Sequence, residues 1–318
     1  MKLSDLIKYR NDIAAIPYGK LAQEISAQAS RIKEQLLSVS VDSDLEIELL
    51  MQSLGGLTSS SSQVSFQLNL FIQRLQKYID QVEKLHITES EKIYQASLTD
   101  PDDYVLDKTK RFEETLSNGV QELFESRIKM YTSWRYPGMQ LRPAAGTWTK
   151  HMIDCDPLYL VDFSEKLFEP IKKQFNTTYQ KRLRYCTIDK NQFPCYNAFP
   201  KNQFGIIVAN YFFNQTTTNA IKQHLKELWG LLRPGGVIIF TYNNCDLEQS
   251  VVKFENGYDC YCPARAIIPM VRNIGFELLA EFNESGVMQW IEIARPGQIQ
   301  SIRGGQSLAK IMNKPEKT

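Results

Sequence analysis

The 318-residue sequence predicts an α/β domain built on a parallel sheet, preceded by an all-helical region. Three observations carry this reading. From Pro137 onward, short apolar runs alternate with amphipathic stretches, the pattern of buried parallel strands covered by helices. Before that point, apolar residues recur at helical spacing. The charge divides at nearly the same place: residues 1–128 carry 14 Lys+Arg against 20 Asp+Glu, net −6, and residues 129–318 carry 23 against 16, net +7. The chain therefore divides into a helical region at 1–128, an α/β domain at 129–296 and a basic tail at 297–318.

Composition narrows the class further. With 43% hydrophobic and 23% charged residues, the chain has the make-up of a globular protein able to bury a sizeable core. No window holds eighteen uninterrupted apolar residues, and the opening MKLSDLIKYRND meets charge too early for an export signal, so a cytoplasmic protein without membrane spans is expected. All six cysteines lie between Cys155 and Cys262 and are expected as reduced thiols. A net charge of +1 argues against bulk attraction to nucleic acid.

The helical region opens with Leu21, Ile25, Ile32 and Leu36 at helical spacing, broken by Gly55-Gly56 and the serines Ser59 to Ser62. A heptad seam follows: Val64, Leu68, Phe71, Leu75, Tyr78, Val82 and Leu85. Phe66, Leu70, Ile72 and Ile79 widen it, so this helix is expected to be buried on more than one side, in a bundle within the chain or in a homodimer through the helical domain. The TDPDD run at Thr99 to Asp103 signals a turn and a helix start, after which Phe112, Leu116, Val120, Leu123, Phe124 and Ile128 share one helical face.

In the α/β domain, Leu158 to Val161, Gly205 to Ala209 and Val237 to Thr241 are the predicted buried strands. Lys226 to Thr241, KELWGLLRPGGVIIFT, reads as a helix ending in Leu-Leu-Arg, stopped by Pro234, a Gly235-Gly236 turn and a central strand. The tail from Arg295 has Gly304-Gly305 and an excess of Lys and Arg, the composition of a flexible segment.

In wording, Lys226 to Thr241 resembles the approach to the fifth strand in class I S-adenosylmethionine-dependent methyltransferases. Its neighbours fit in order. LYLVD at Leu158 to Asp162 resembles the second strand with its acidic end, and Phe199 to Asn210 resembles the fourth strand. Ile274 to Leu279 and Met288 to Pro296 resemble the antiparallel pair that closes the sheet. The resemblance spans about residues 137–296 and implies a Rossmann-like seven-stranded sheet, S-adenosylmethionine as cofactor and a methyl acceptor that the sequence does not identify.

It also implies candidate cofactor residues. Met139 to Thr149 aligns with the cofactor loop, Gln140 standing for the family's acidic residue, Arg142 for its first glycine and Ala144 for its second, while Gly146 is retained. Glycines there let the backbone approach the cofactor and turn sharply, which a side chain obstructs. Asp162 would accept hydrogen bonds from ribose hydroxyls; the alternative is a helix N-cap or first-turn acid for the run Ser164 to Phe175. Asp189 resembles the contact to the adenine edge, or is a turn aspartate, and Asn210 stands where the family places groups near the transferred methyl, followed by Tyr211 and Phe212, which are also candidates for core packing. The altered loop leaves two function classes: a methyltransferase with a modified loop, or a methyltransferase-like protein used for binding or assembly.

Other chemistries fit less well. Asn210-Tyr-Phe-Phe lacks the prolines of the family's DNA amino-methylating motif, and a dinucleotide site would need the full glycine fingerprint. Cys245, Cys260 and Cys262 lack zinc-ligand spacing, and His86, His151 and His224 are scattered, as ordinary surface or cap histidines are.

Overall fold

The computed structural model describes residues 86–298 apart from 115, 190–192, 194 and 285–287, together with Ser4, Ile7, Lys8, Arg10, Asn11, Gln73, Gln76, Lys77 and Lys84. The predicted helices around Leu21 to Leu36, the glycine and serine breaks, the members of the heptad seam and the tail from 299 onward lie outside the described residues.

Residues 86–97 form a helix, α1. The TDPDD signal is realised: α2 spans Asp102–Glu114, with Asp102 and Asp103 in the first turn, where their charge faces the positive end of the helix dipole. The apolar face from Phe112 to Ile128 does not belong to one helix, however. Ser117 accepts from Val120 N (3.4 Å) and caps a second helix, α3, at Asn118–Tyr131.

The seven strands are β1 (Gly138–Leu141), β2 (Leu158–Asp162), β3 (Leu183–Thr187), β4 (Phe204–Ala209), β5 (Leu232–Tyr242), β6 (Glu277–Glu284) and β7 (Met288–Ala294). Their order is β3-β2-β1-β4-β5-β7-β6, with β1 to β5 parallel and β7 antiparallel to both neighbours. Between strands lie α4 (Glu169–Gln174), α5 (Thr177–Gln180), α6 (Thr218–Leu231), α7 (Glu248–Glu255) and α8 (Ala264–Ile274). The seven-stranded α/β sheet is thus the fold expected from the sequence.

Alternation along the central strands divides the core into two layers, because successive strand residues face opposite sides. Ile207, Ala209, Ile238 and Phe240 pack with Leu225 and Leu228 of α6 and Ile267 and Val271 of α8. Ile206, Val208, Val237 and Ile239 pack on the other face with Phe124 and Ile128 of α3. All of these are buried. Where the sequence predicts a helix end and a turn, α6 stops at Leu231 and residues 232–236 already belong to β5: Gly235 takes φ +74 within the register shift between β4 and β5, and a Cβ on Gly236 would come within 2.6 Å of the Phe204 carbonyl oxygen. At the far end of α8, Gly275 (φ +109) supplies the left-handed residue that lets the chain turn into β6.

Candidate functional site

In an open parallel sheet, ligands bind outside the carboxyl ends of the strands where the strand order reverses, because the two connecting loops diverge there. Here that point lies between β1 and β4, which pair with each other while their neighbours lie on opposite sides. Six of the seven residues singled out in the sequence are buried in or after β1, β2 and β4, the loop after β1 supplying three of them, and the seventh, Asp189, is exposed beyond the tip of β3.

That loop keeps a glycine-loop backbone without its glycines. Arg142, Ala144 and Gly146 have φ of +50, +49 and +83, an alternation of left-handed residues. For residues bearing a Cβ this conformation costs roughly 1–2 kcal/mol each, so the surrounding fold imposes it. The Arg142 amide donates to the Val161 carbonyl (2.9 Å), tying the loop to β2, and the Gly146 amide donates to the Pro143 carbonyl (2.9 Å), closing the turn. At Gly146, any Cβ would collide with the Gln174 side chain from α4.

The Arg142 side chain turns inward. Its guanidinium lies 5.6 Å from the Phe163 ring centroid and 5.7 Å from that of Phe212, and donates to Gln215 Oε1 at 3.0 Å. The residue is 6% exposed, and its Nε has no hydrogen-bond partner. A buried cation held by a neutral amide and two ring faces is only partly compensated for the water it has lost.

The remaining candidates are placed as follows. Gln140, buried in β1, accepts from the Thr149 hydroxyl (2.7 Å), so its carbonyl is already engaged within the fold. Asp162 is buried at the end of β2 and accepts from the Phe163 amide (2.8 Å). The cap of the following turn is Ser164, whose hydroxyl accepts from Lys166 N, which answers the alternative of a capping aspartate. Asp189 is exposed beyond β3, next to Ile188, whose amide donates to the Asp162 carbonyl (3.0 Å). Buried Asn210, after β4, has its Oδ1 3.3 Å from Thr241 Oγ1, and that hydroxyl also accepts from the Tyr211 amide (2.7 Å). Tyr211 itself has φ +56, an outlier for an aromatic residue, and stacks on Phe112 of α2 (centroids 4.1 Å apart). Three of the four described non-glycine residues with positive φ therefore sit at this edge of the sheet.

The sequence offers Phe212 as a residue near the transferred methyl or as core packing, and does not reveal that Phe212, Phe163 and Gln215 form the seat of Arg142. Phe163 follows Asp162 directly, so the position was legible although its role was not. One histidine also differs from expectation. His224 is neither a surface nor a cap residue: it is buried in α6, its Nδ1 2.9 Å from Tyr196 OH, and burial lowers its pKa to about 3. All six cysteines are free thiols, and no helix among the described residues is long and apolar enough to cross a membrane.

Residues 144–240 match a family described as a methyltransferase domain. The chain has no match among curated proteins. Among solved structures, a Haloferax volcanii protein assigned as a methyltransferase, solved in complex with a methyltransferase activator, aligns with a TM-score of 0.49 and 11% identity over 63% of this chain and 97% of that one. An S-adenosylmethionine-dependent methyltransferase from Clostridium acetobutylicum aligns with a TM-score of 0.47 and 11% identity over 58% and 95%. A methyltransferase of the same dependence from Aquifex aeolicus gives 0.38 and 13% over 65% and 98%.

Proposed function

We propose, from the premise that the α/β domain belongs to the class I methyltransferase family, that the protein is an S-adenosylmethionine-dependent methyltransferase whose cofactor crevice opens when Arg142 leaves it. The observation that carries this reading is the loop after β1, which holds left-handed backbone at 142, 144 and 146 although two of these residues carry side chains. Three features support a fit to the cofactor: that loop, the Asp162 carboxylate at the end of β2, and Asn210 after β4. One feature opposes it. The Arg142 guanidinium is a cation in a crevice meant for a ligand with sulfonium and ammonium charges, and only its displacement makes the residues compatible with that ligand.

In the fitted state Asp162 would hold ribose hydroxyls, Asp189 would stand at the adenine edge, and Asn210 would face the reacting end. When bound, the cofactor supplies a methyl group on sulfur, transferred by in-line displacement in which positioning does most of the work. The acceptor is a molecule or macromolecule delivered to the same edge of the sheet. We place the reaction in a reducing, cytoplasmic setting, a reading supported by the six unpaired thiols.

A second reading, a methyltransferase-like binding or assembly protein, is favoured by the seat that Arg142 already has between Phe163 and Phe212. Calorimetric titration with S-adenosylmethionine separates the two. The enzyme reading expects saturable binding at millimolar ligand or below, where a site worth about 4 kcal/mol fills, and expects Asp162→Ala to weaken it by about 1–3 kcal/mol. Silence in the native protein, with binding created by Arg142→Gly, Ala144→Gly and Gln140→Glu together, would establish the binding-protein reading.

A further inference from the structure

Beside Tyr211 lies a cavity of about 320 Å³, bounded by α2, by Tyr211 itself after β4 and by the segment between α7 and α8. Tyr211 and Asp259 are buried at its floor, and Tyr104 and Tyr258 stand at its mouth, 46% and 56% exposed. Phe112, stacked on Tyr211, continues the wall. Rings that give contact area, with a few polar groups that orient, are the make-up of sites for small molecules. Gln140, Arg142, Ala144, Asp162 and Asn210 do not line this cavity, so it is distinct from the Arg142 crevice.

Charge does not choose the ligand here. Arg111 pairs with Asp107 (2.7 Å), Asp259 and Asp100 both act on Lys108, and Asp259 acts on Lys253. Every cation in the wall thus has a carboxylate working on it, which gives no ground for selecting an anion. Hydrogen bonding is the more selective feature. Asp259 is 1% exposed, and among the described residues its side chain accepts one hydrogen bond, from the Tyr211 hydroxyl at 3.3 Å. Burial pushes the Tyr211 phenol well above its usual pKa, so it stays the donor of that pair. Hydroxyl donors ordinarily approach an oxygen to about 2.5–3.0 Å, and a carboxylate has about four acceptor positions. A carboxylate taken out of water for one long bond keeps unused acceptor capacity at the floor of the cavity.

We propose that this cavity is a binding site for a neutral single-ring phenol, its ring among Tyr104, Tyr258 and Phe112 and its hydroxyl donating to the Asp259 carboxylate. A phenol matches both features of the cavity: a flat apolar body for the ring walls and one O–H for the acceptor at the floor. An aromatic acid would instead turn acceptors towards a carboxylate. The proposal goes beyond the cofactor reading and stands whether or not S-adenosylmethionine binds.

The test is a nuclear magnetic resonance titration of the full-length protein with phenol as probe. Anisole keeps the ring and the oxygen without the donor, cyclohexanol keeps the donor on a saturated ring, and benzoate and benzylamine add a charge of either sign. Phenol is expected to bind with a Kd of about 1 mM or tighter and about tenfold more tightly than each of the others, with no loss of affinity on adding salt. Asp259→Asn should weaken phenol about tenfold, to the level of anisole, the size expected for one charge-assisted hydrogen bond. Tyr104→Ala and Tyr258→Ala, at exposed positions, should each weaken phenol about threefold through lost ring contact. Should Asp259→Asn lose its native circular dichroism, the ratio of phenol to anisole affinity in the native protein and the two tyrosine variants carry the test. Failure of phenol to saturate the protein at about 10 mM, equal binding of anisole, tighter binding of benzoate or benzylamine, or indifference to both tyrosine changes would each overturn the proposal.

Discussion

At the scale of single residues, burial decides which side chains can respond to their surroundings. His224 is the clearest case. It is enclosed by Phe212, Phe213 and Tyr196, and no carboxylate compensates the desolvation that holds its pKa near 3. The Tyr196 phenol, pushed well above its usual pKa by burial, stays protonated and pairs with Nδ1. The folded pKa lies below the unfolded value of about 6.5, so the unfolded chain takes up the proton first as pH falls. Stability is unaffected above that value and declines below it by about 1.4 kcal/mol per pH unit until the native imidazole titrates near pH 3. At pH 5 the loss from this residue is about 2 kcal/mol. Asp246 and Asp259, whose carboxyls burial raises, act with the opposite sign. Urea unfolding of the native protein and of His224→Gln at pH 7.5 and pH 5 isolates the effect: the pH dependence should flatten in the variant, and equal slopes would show that His224 does not carry it.

At the scale of elements, α3 is held on the sheet by one buried ionic cluster. Glu292 of β7 is fully buried, and Arg127 grips both its oxygens, with Nε 2.6 Å from Oε1. Tyr131 OH (2.8 Å) and Trp290 Nε1 (3.0 Å) donate to the same carboxylate. Removing the cation alone leaves a buried anion with neutral donors only, so Arg127→Met should cost about 3–5 kcal/mol. Adding Glu292→Leu should return about 2 kcal/mol of this, since only neutral donors are then left unpaired; chemical unfolding midpoints of the two variants measure the difference. This cluster was invisible in the sequence because its members lie 165 positions apart. The strands were legible for the opposite reason: β2, β4 and the part of β5 from Val237 onward are local runs of apolar, mostly branched or aromatic residues, whereas the first half of β5, Leu232 to Gly236, carries turn residues and was not legible as strand. The break between α2 and α3 was hidden because Phe112 and Val120 stay in helical phase across Ser117. At the candidate site, the altered loop could be read from its residue types, but the inward turn of Arg142 depends on Gln215, 73 residues away.

At the scale of the whole molecule, the question is where the sheet domain begins. The charge division and the change of period place a boundary near residue 128, yet α3 contributes side chains to the same core layer as β2, β4 and β5. Phe124 and Ile128 are fully buried there, Val120 and Tyr131 nearly so, and Phe124 stacks on Trp290 of β7 with centroids 3.9 Å apart. Four such apolar side chains at roughly 1.5–3 kcal/mol each amount to about 6–12 kcal/mol, before the Arg127–Glu292 pair is counted. A domain of this size is stable by only about 5–15 kcal/mol. We therefore predict that a chain beginning at Thr132 will not fold, whereas one beginning at His86 and ending at Gln298 will. The longer chain also keeps α1, where Ser90 Oγ accepts from the Tyr261 amide at 2.6 Å, and α2, which stacks Phe112 on Tyr211. Near-ultraviolet circular dichroism and the cooperativity of urea unfolding are the measurements. A sharp transition in the 132–298 chain would mean that α3 is a dispensable cover, and its loss in the 86–298 chain would mean that residues 1–85 hold part of the core. Light scattering on the full-length chain and the 86–298 chain then tests the helical seam, since a dimer built on Val64 to Leu85 must vanish from the shorter chain, and one that persists must use a surface of the sheet domain.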